Sequence, residues 1–145
     1  MAGAGVASAG ISFEQLVGQE AVISQLRRAA AAAAGRASAT SAASGAGGMT
    51  HAWLFTGPPG SGRSVAARAF AAALLCGDQG CDNCPCCKQV AVGSHADLLL
   101  VRPDGLSYGV KQTRDLVLRA ATAPVSGPWR VVLFEDADRA TEQAA

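Results

Sequence analysis

The eight residues Gly57–Ser64, GPPGSGRS, constrain the fold more than any other stretch. They follow a short apolar run, HAWLFT (His51–Thr56), a buried-strand candidate. They lead into SVAARAFAAALLC (Ser64–Cys76), where Val65, Ala69, Ala72 and Leu75 or Cys76 recur at helical spacing. Strand, glycine loop and helix in that order make a cradle for phosphate. Glycines let successive N–H groups turn inward, and the helix aims its positive end at the same point. Gly57, Gly60 and Gly62 stand where that backbone needs them, and Ser64 stands where a hydroxyl would hold Mg²⁺. The lysine position holds Arg63, whose planar fork is longer and harder to place than a point charge. The spacing therefore predicts a site for ATP or ADP with Mg²⁺ built from Gly57, Pro58, Pro59, Gly60, Ser61, Gly62, Arg63 and Ser64, with poor placement of the last phosphate. A glycine-rich turn with no ligand is the alternative.

The rest of the chain predicts an α/β fold. Asp97–Val101 (DLLLV) and Arg130–Phe134 (RVVLF) read as further strands. Between them Val110–Thr122 is an amphipathic helix carrying Val110, Leu116, Val117 and Ala120. Strand, helix and strand at this length form a parallel crossover unit. Upstream, Leu16 and Val17 precede a turn at Gly18–Gln19, and Ala21, Val22, Gln25, Leu26 and Ala29 then follow helical spacing. The alanine run Ala29–Ala34 extends that helix and Gly35 is expected to end it. Residues 1–12 read as a flexible N-terminus, and Gly35–Gly48 (GRASATSAASGAGG) as a flexible insertion. The tail DRATEQAA begins a further helix, and three strands would leave sheet edge open, so the chain reads as the N-terminal part of a longer protein.

Two other clusters carry chemistry. The third strand runs into Glu135–Asp136, candidate catalytic acids. A nucleotide hydrolase ends such a strand with Asp then Glu; here the order is reversed. Glu135 sets its carboxylate ~1.5 Å too far out, and Asp136 falls short by a similar step. Errors of about 1 Å at a catalytic group cost on the order of 100-fold in rate. A solvated acidic strand end is the plainer reading.

The second cluster is CGDQGCDNCPCC, which places Cys76, Cys81, Cys84 and Cys87 at spacings that suit one tetrahedral Zn²⁺. A closed four-thiolate shell is structural. Cys86 breaks the spacing and reads as a free thiol, though it could replace Cys84 or Cys87; His95 is not needed. Free cysteines and disulfides are the alternatives to zinc.

The opening FEQLVGQEAVISQLRRA (Phe13–Ala29), the loop GPPGSGRS and the cysteine insertion after its helix occur in one order. That order resembles the bacterial DNA polymerase III clamp-loader subunits, which are AAA+ proteins. Gly93–Asp97 (GSHAD) looks like that family's His-Pro-Asp stretch with Ala96 for Pro, and VKQTRDL (Val110–Leu116) and VVLFEDADRAT (Val131–Thr141) look like its acidic-strand region.

The resemblance implies a partial AAA+ domain over residues 13–145: a phosphate-loop parallel sheet with flanking helices and a zinc module at 76–87. It implies that Val17, Gly18 and Gln19 lie near the adenine. It also implies gamma/tau and delta subunits as partners, and a sliding clamp and primed DNA reached through the assembly. Gamma and tau are the motors, with an intact lysine loop and an Asp-Glu pair. This chain departs at both and is more similar to the non-motor delta-prime type. The expectation is a clamp-loader subunit with little or no ATP hydrolysis of its own. An active gamma/tau-like ATPase and a zinc-dependent scaffold with a vestigial loop are the competing readings.

Net charge is +1, which argues against nucleic-acid binding driven by bulk charge. Half the residues are hydrophobic, much of that alanine, yet no apolar run reaches membrane-span length. MAGAGVASAGISFEQ is a poor secretion signal. A cytoplasmic location is expected, where crowded cysteines favour metal over disulfides.

Overall fold

The computed structural model describes residues 11–38 and 49–142. Four helices and two strands follow in order: α1 (Glu20–Ser38), α2 (Arg63–Leu75), α3 (Pro85–Val92), β1 (Leu98–Val101), α4 (Val110–Ala120) and β2 (Val131–Phe134). Single 3-10 turns lie at Phe13–Gln15 and Ala137–Arg139. β1 and β2 pair in parallel, with Leu98 opposite Val131 and Val101 opposite Phe134, and α4 is the crossover. The class is mixed α/β with a small parallel sheet.

Side chains alternate across the sheet, as a period of two requires. Leu98, Leu100, Val131 and Leu133 join the main core. Leu99, Val101 and Phe134 face a smaller cluster around Tyr108, which is fully buried. α2 packs on α1, and both helices give the main core mostly alanines: Ala66, Ala69, Ala71, Ala72 and Ala73 from α2, Ala29, Ala30 and Ala33 from α1. Small side chains bring two backbones close but fill little volume. Phe13, Phe70 and Trp53 supply the bulk, with the Phe70 ring edge-on to Trp53 at 5.2 Å.

Several expectations are corrected. His51–Thr56 is extended yet forms no ladder among the described residues. Its aromatics pack on α2 instead, Phe55 lying 6.5 Å from Phe70, and a cleft of about 860 Å³ is lined by both this segment and β2. Gly35 does not end α1, which runs to Ser38; the alanines around it outweigh a glycine cost of about 1 kcal/mol. The rest of the expected insertion, 39–48, lies outside the described residues, as do 1–10. Ile11, expected in a flexible N-terminus, is buried, and its N–H donates to Asp82 Oδ1 at 2.6 Å. Apolar burial and one charge-assisted bond hold it in place.

The tail does not begin a helix at Asp138. After one 3-10 turn Ala140 bridges to Tyr108 in parallel fashion. α4 buries none of its residues: Leu116 packs partly on the small cluster, while Val117 and Leu118 are exposed. Among the described residues no helix is long and apolar enough to cross a membrane.

Candidate nucleotide cleft and metal centre

The glycine loop joins the extended segment to α2 and opens into the cleft. Gly57 is required by close approach, since a Cβ there would meet Ser61 Oγ at 2.7 Å. Gly62 caps α2 with left-handed backbone at φ 83°, a conformation side chains resist. Gly62 has no side chain to accept from the first N–H groups of the helix, which an α-helix leaves without an intrahelical partner. Ser61 Oγ is buried without a partner among the described residues. Arg63 and Ser64 line the cleft, and so do Glu135, Asp136 and Asp138 at the end of β2. The loop and the acids predicted from sequence thus meet in one cleft. Leu16, just before the Val17–Gln19 turn, is buried with its Cδ2 only 3.1 Å from where a Gly62 Cβ would sit, while the turn itself does not line the cleft. Val17 itself is exposed.

The two acids have different surroundings. Glu135 accepts from Arg68 Nη2 at 2.8 Å and from Arg102 Nε at 2.7 Å. Burial opposes its ionisation, but the two guanidinium groups overcome that and hold its carboxyl below the ordinary value. Asp136 takes left-handed backbone at φ 51°, is half exposed and lies 3.9 Å from Arg139 Nε. The Tyr108 hydroxyl donates to the Val101 carbonyl and to the Glu135 carbonyl, fixing the backbone where the strand ends.

Arg68 and Arg102 are partners that sequence reasoning missed. Helical spacing could have found Arg68, which lies one turn beyond Ser64 on α2 and so on the same face. Asp97 was missed too. It is fully buried and accepts from the Ser126 hydroxyl at 2.6 Å and from the N–H groups of Val125 and Ser126. Those bonds, the Ser126 hydroxyl first, hold its carboxyl down to about 2. It pins the loop before β2 to the start of β1. His95, also buried, accepts from the Asp97 N–H through Nδ1 at 3.1 Å.

The cysteines converge. Cys76 caps the end of α2, Cys84 caps the start of α3 and Pro85 opens that helix. Between them Gln79, Gly80 and Asp82 take positive φ and fold the chain back tightly. The Sγ atoms of Cys76, Cys81, Cys84 and Cys87 all lie within 4.8 Å of one another. Cys76 Sγ is 3.9 Å from Cys81 Sγ and 3.6 Å from Cys84 Sγ. A tetrahedron with Zn–S bonds of about 2.3 Å has edges of about 3.8 Å, so the donor set fits zinc. Backbone N–H groups support two of the sulfurs: Asp78 donates to Cys76 and Cys87 donates to Cys84, each at 3.4 Å. Such contacts orient metal ligands.

Burial would raise the Cys76 thiol, but bonds from Cys81, Asp78 and Gly80 bring it down to about 6. Burial and neighbouring sulfurs push Cys87 far up. Metal binding needs the ligating thiols as thiolates, so a cation would bring the Cys87 thiol down against the burial that pushes it up. Cys86 stands outside the set, pushed up to about 11 by burial and the adjacent cysteines.

Comparison with known proteins agrees with these features. A family model described as DNA polymerase III, delta subunit, matches residues 37–145. The delta-prime subunit of Bacillus subtilis is 34% identical over 100 residues, covering 67% of this chain and 30% of that protein. That of Pseudomonas aeruginosa is 34% identical over 101 residues, covering 66% and 31%. The gamma/tau subunit of Mycobacterium tuberculosis is 35% identical over 136 residues, covering 90% of this chain and 21% of its own. No solved structure matches significantly. The chain spans less than a third of the length of these relatives. It belongs to the DNA polymerase III delta-subunit family, of the delta-prime type.

Proposed function

We propose that residues 13–145 are part of the AAA+ domain of a clamp-loader subunit. The subunit works with gamma/tau and delta partners to place a sliding clamp on primed DNA, and it hydrolyses little or no ATP itself. Gly57–Ser64 hold nucleotide phosphate, the turn Val17–Gln19 lies by the base, and the zinc module of residues 76–87 is structural, with Zn²⁺ on Cys76, Cys81, Cys84 and Cys87.

The observation that carries the weak hydrolysis is Asp136. By its order after Glu135 it is the candidate water-activating acid, and its carboxylate is half exposed, 3.9 Å from Arg139 Nε and carried on left-handed backbone. With Arg63 in the lysine position, neither the last phosphate nor the attacking water has a positioned partner, and phosphoryl transfer depends on positioning. The similarity to gamma/tau subunits over 90% of the chain favours a second reading, an active motor. ATP turnover by the full chain with primed DNA separates the two. Turnover at background is expected; robust turnover abolished by Arg63→Ala would establish the motor.

A further inference from the structure

Asp82 lies inside the cysteine knot, between Cys81 and Cys84, but it is not one of the four clustered ligands. Its backbone takes φ 65°, and its N–H supports the Cys87 sulfur. Its carboxylate serves another segment: Oδ1 accepts from the Ile11 N–H at 2.6 Å, 71 positions away in sequence. A carboxylate on a backbone N–H makes a charge-assisted bond, roughly twice as strong as a neutral one. Ile11 opens a stretch with little regular structure of its own. Phe13–Gln15 makes one 3-10 turn, closed by Gln15 N–H on the Ser12 carbonyl and Leu16 N–H on the Phe13 carbonyl. A single turn fixes several dihedrals for one or two bonds and does not hold alone. Burial of Ile11, Phe13 and Leu16 in the main core and the bond to Asp82 hold this one. Leu16 in turn touches the glycine loop, at the Gly62 position whose left-handed backbone opens α2.

The contacts therefore run from the knot through Asp82 to Ile11–Leu16 and on to Gly62. The knot follows the last residue of α2 and the glycine loop precedes its first, so the two are separated by about 20 Å of helix. We propose that Asp82 is a positioning residue: with the four sulfurs closed on metal, its carboxylate clasps the entry segment, and that segment seats Leu16 against the turn at Gly62. The metal knot then supports the shape of the glycine loop from the opposite end of α2. This rests on the reading of Cys76, Cys81, Cys84 and Cys87 as a zinc site, and the Asp82 side chain is not needed to hold the metal.

The test is amide hydrogen exchange of the zinc-loaded full chain, read residue by residue, with metal content measured on the same samples. Asp82→Gly removes the acceptor without strain, because glycine takes φ 65° freely. Exchange at Ile11 and Leu16 should quicken about tenfold or more, the loss expected for a charge-assisted bond. Ser61 and Ala66, whose N–H groups bond the Pro58 and Gly62 carbonyls, should quicken several-fold on the order of the same opening. Zinc content should not change. Asp82→Asn keeps an acceptor oxygen and tolerates left-handed backbone, so it should restore most of the protection. Stripping zinc from the wild type should free the same amides. Unchanged exchange at Ile11 in Asp82→Gly, exchange at Ser61 and Ala66 that does not follow it, or protection of Ile11 and Leu16 kept after zinc removal overturns the proposal. Loss of zinc by Asp82→Gly would make the side chain part of the metal site and would overturn it too. Wild-type protein that holds no zinc overturns the metal reading, and the proposal with it.

Discussion

Single Cys→Ser substitutions at the five cysteines should divide four to one. The Sγ atoms of Cys76, Cys81, Cys84 and Cys87 lie within 4.8 Å of one another, and a tetrahedral shell needs edges of about 3.8 Å, so a shift of at most about 1 Å closes it. Losing one of four thiolates should weaken zinc binding by more than about 100-fold, beyond the 10–100-fold typical of residues that only orient ligands. Protein holding zinc at about 1,000 times its dissociation constant gains about 4 kcal/mol from the metal, and a 100-fold loss removes about 2.7 kcal/mol of that. In a chain of this size that corresponds to a fall of roughly 5–10 °C in melting temperature. Cys86→Ser should keep both metal and melting temperature. Metal analysis of protein purified under reducing conditions, paired with thermal unfolding, reads both quantities. Wild-type protein without zinc, or Cys86→Ser losing zinc as fully as Cys84→Ser, would refute the assignment.

Zinc affinity should rise with pH. The Cys87 thiol, pushed far up by burial, must lose its proton on binding, so competition titrations should show a gain of at least about tenfold per pH unit through neutrality. Phe70→Ala removes the ring that Trp53 and Phe55 pack on, and should cost about 3–5 kcal/mol in urea unfolding; a loss below about 1 kcal/mol would mean that the alanine interface carries the core without it. The hydrogen bonds from Ser126 and Val125 hold the Asp97 carboxyl down to about 2, against an ordinary 3.8. Its contribution is therefore complete above about pH 4 and lost as pH falls through 2. Asp97→Asn should flatten that acid limb of the stability curve and lower stability at pH 7, and an unchanged limb would assign it to other groups.

Features written in local spacing were legible in the sequence. The glycine loop is one, because Gly57, Gly60 and Gly62 answer to backbone geometry within a few residues. The cysteine convergence is another, since Cys81–Cys87 turn on one short helix start. Even there α3 was missed, because Pro85 at its first position reads from sequence as loop punctuation. The segment His51–Thr56 was read as a strand because apolar runs and strands look alike, whereas a strand exists only where another backbone pairs with it. Arg68, Arg102 and Glu135 were illegible as a unit. Their charges come from α2, the end of β1 and the end of β2, and only the parallel pairing of Leu98–Val101 with Val131–Phe134 brings them together.

The placement of the cysteine knot has a consequence for the order of events as the chain is made. All four sulfurs lie between Cys76 and Cys87, whereas the sheet needs Leu98 to find Val131. The cost of closing a loop grows with its length, so the knot can close on metal while β2 is still being synthesised. Closed on zinc, it would join the end of α2 to the start of α3, and so would fix the helix that carries the glycine loop ahead of the strand pairing. Zinc supply then matters most during translation. Cells starved of zinc during expression should yield less folded protein, even when zinc is restored after synthesis.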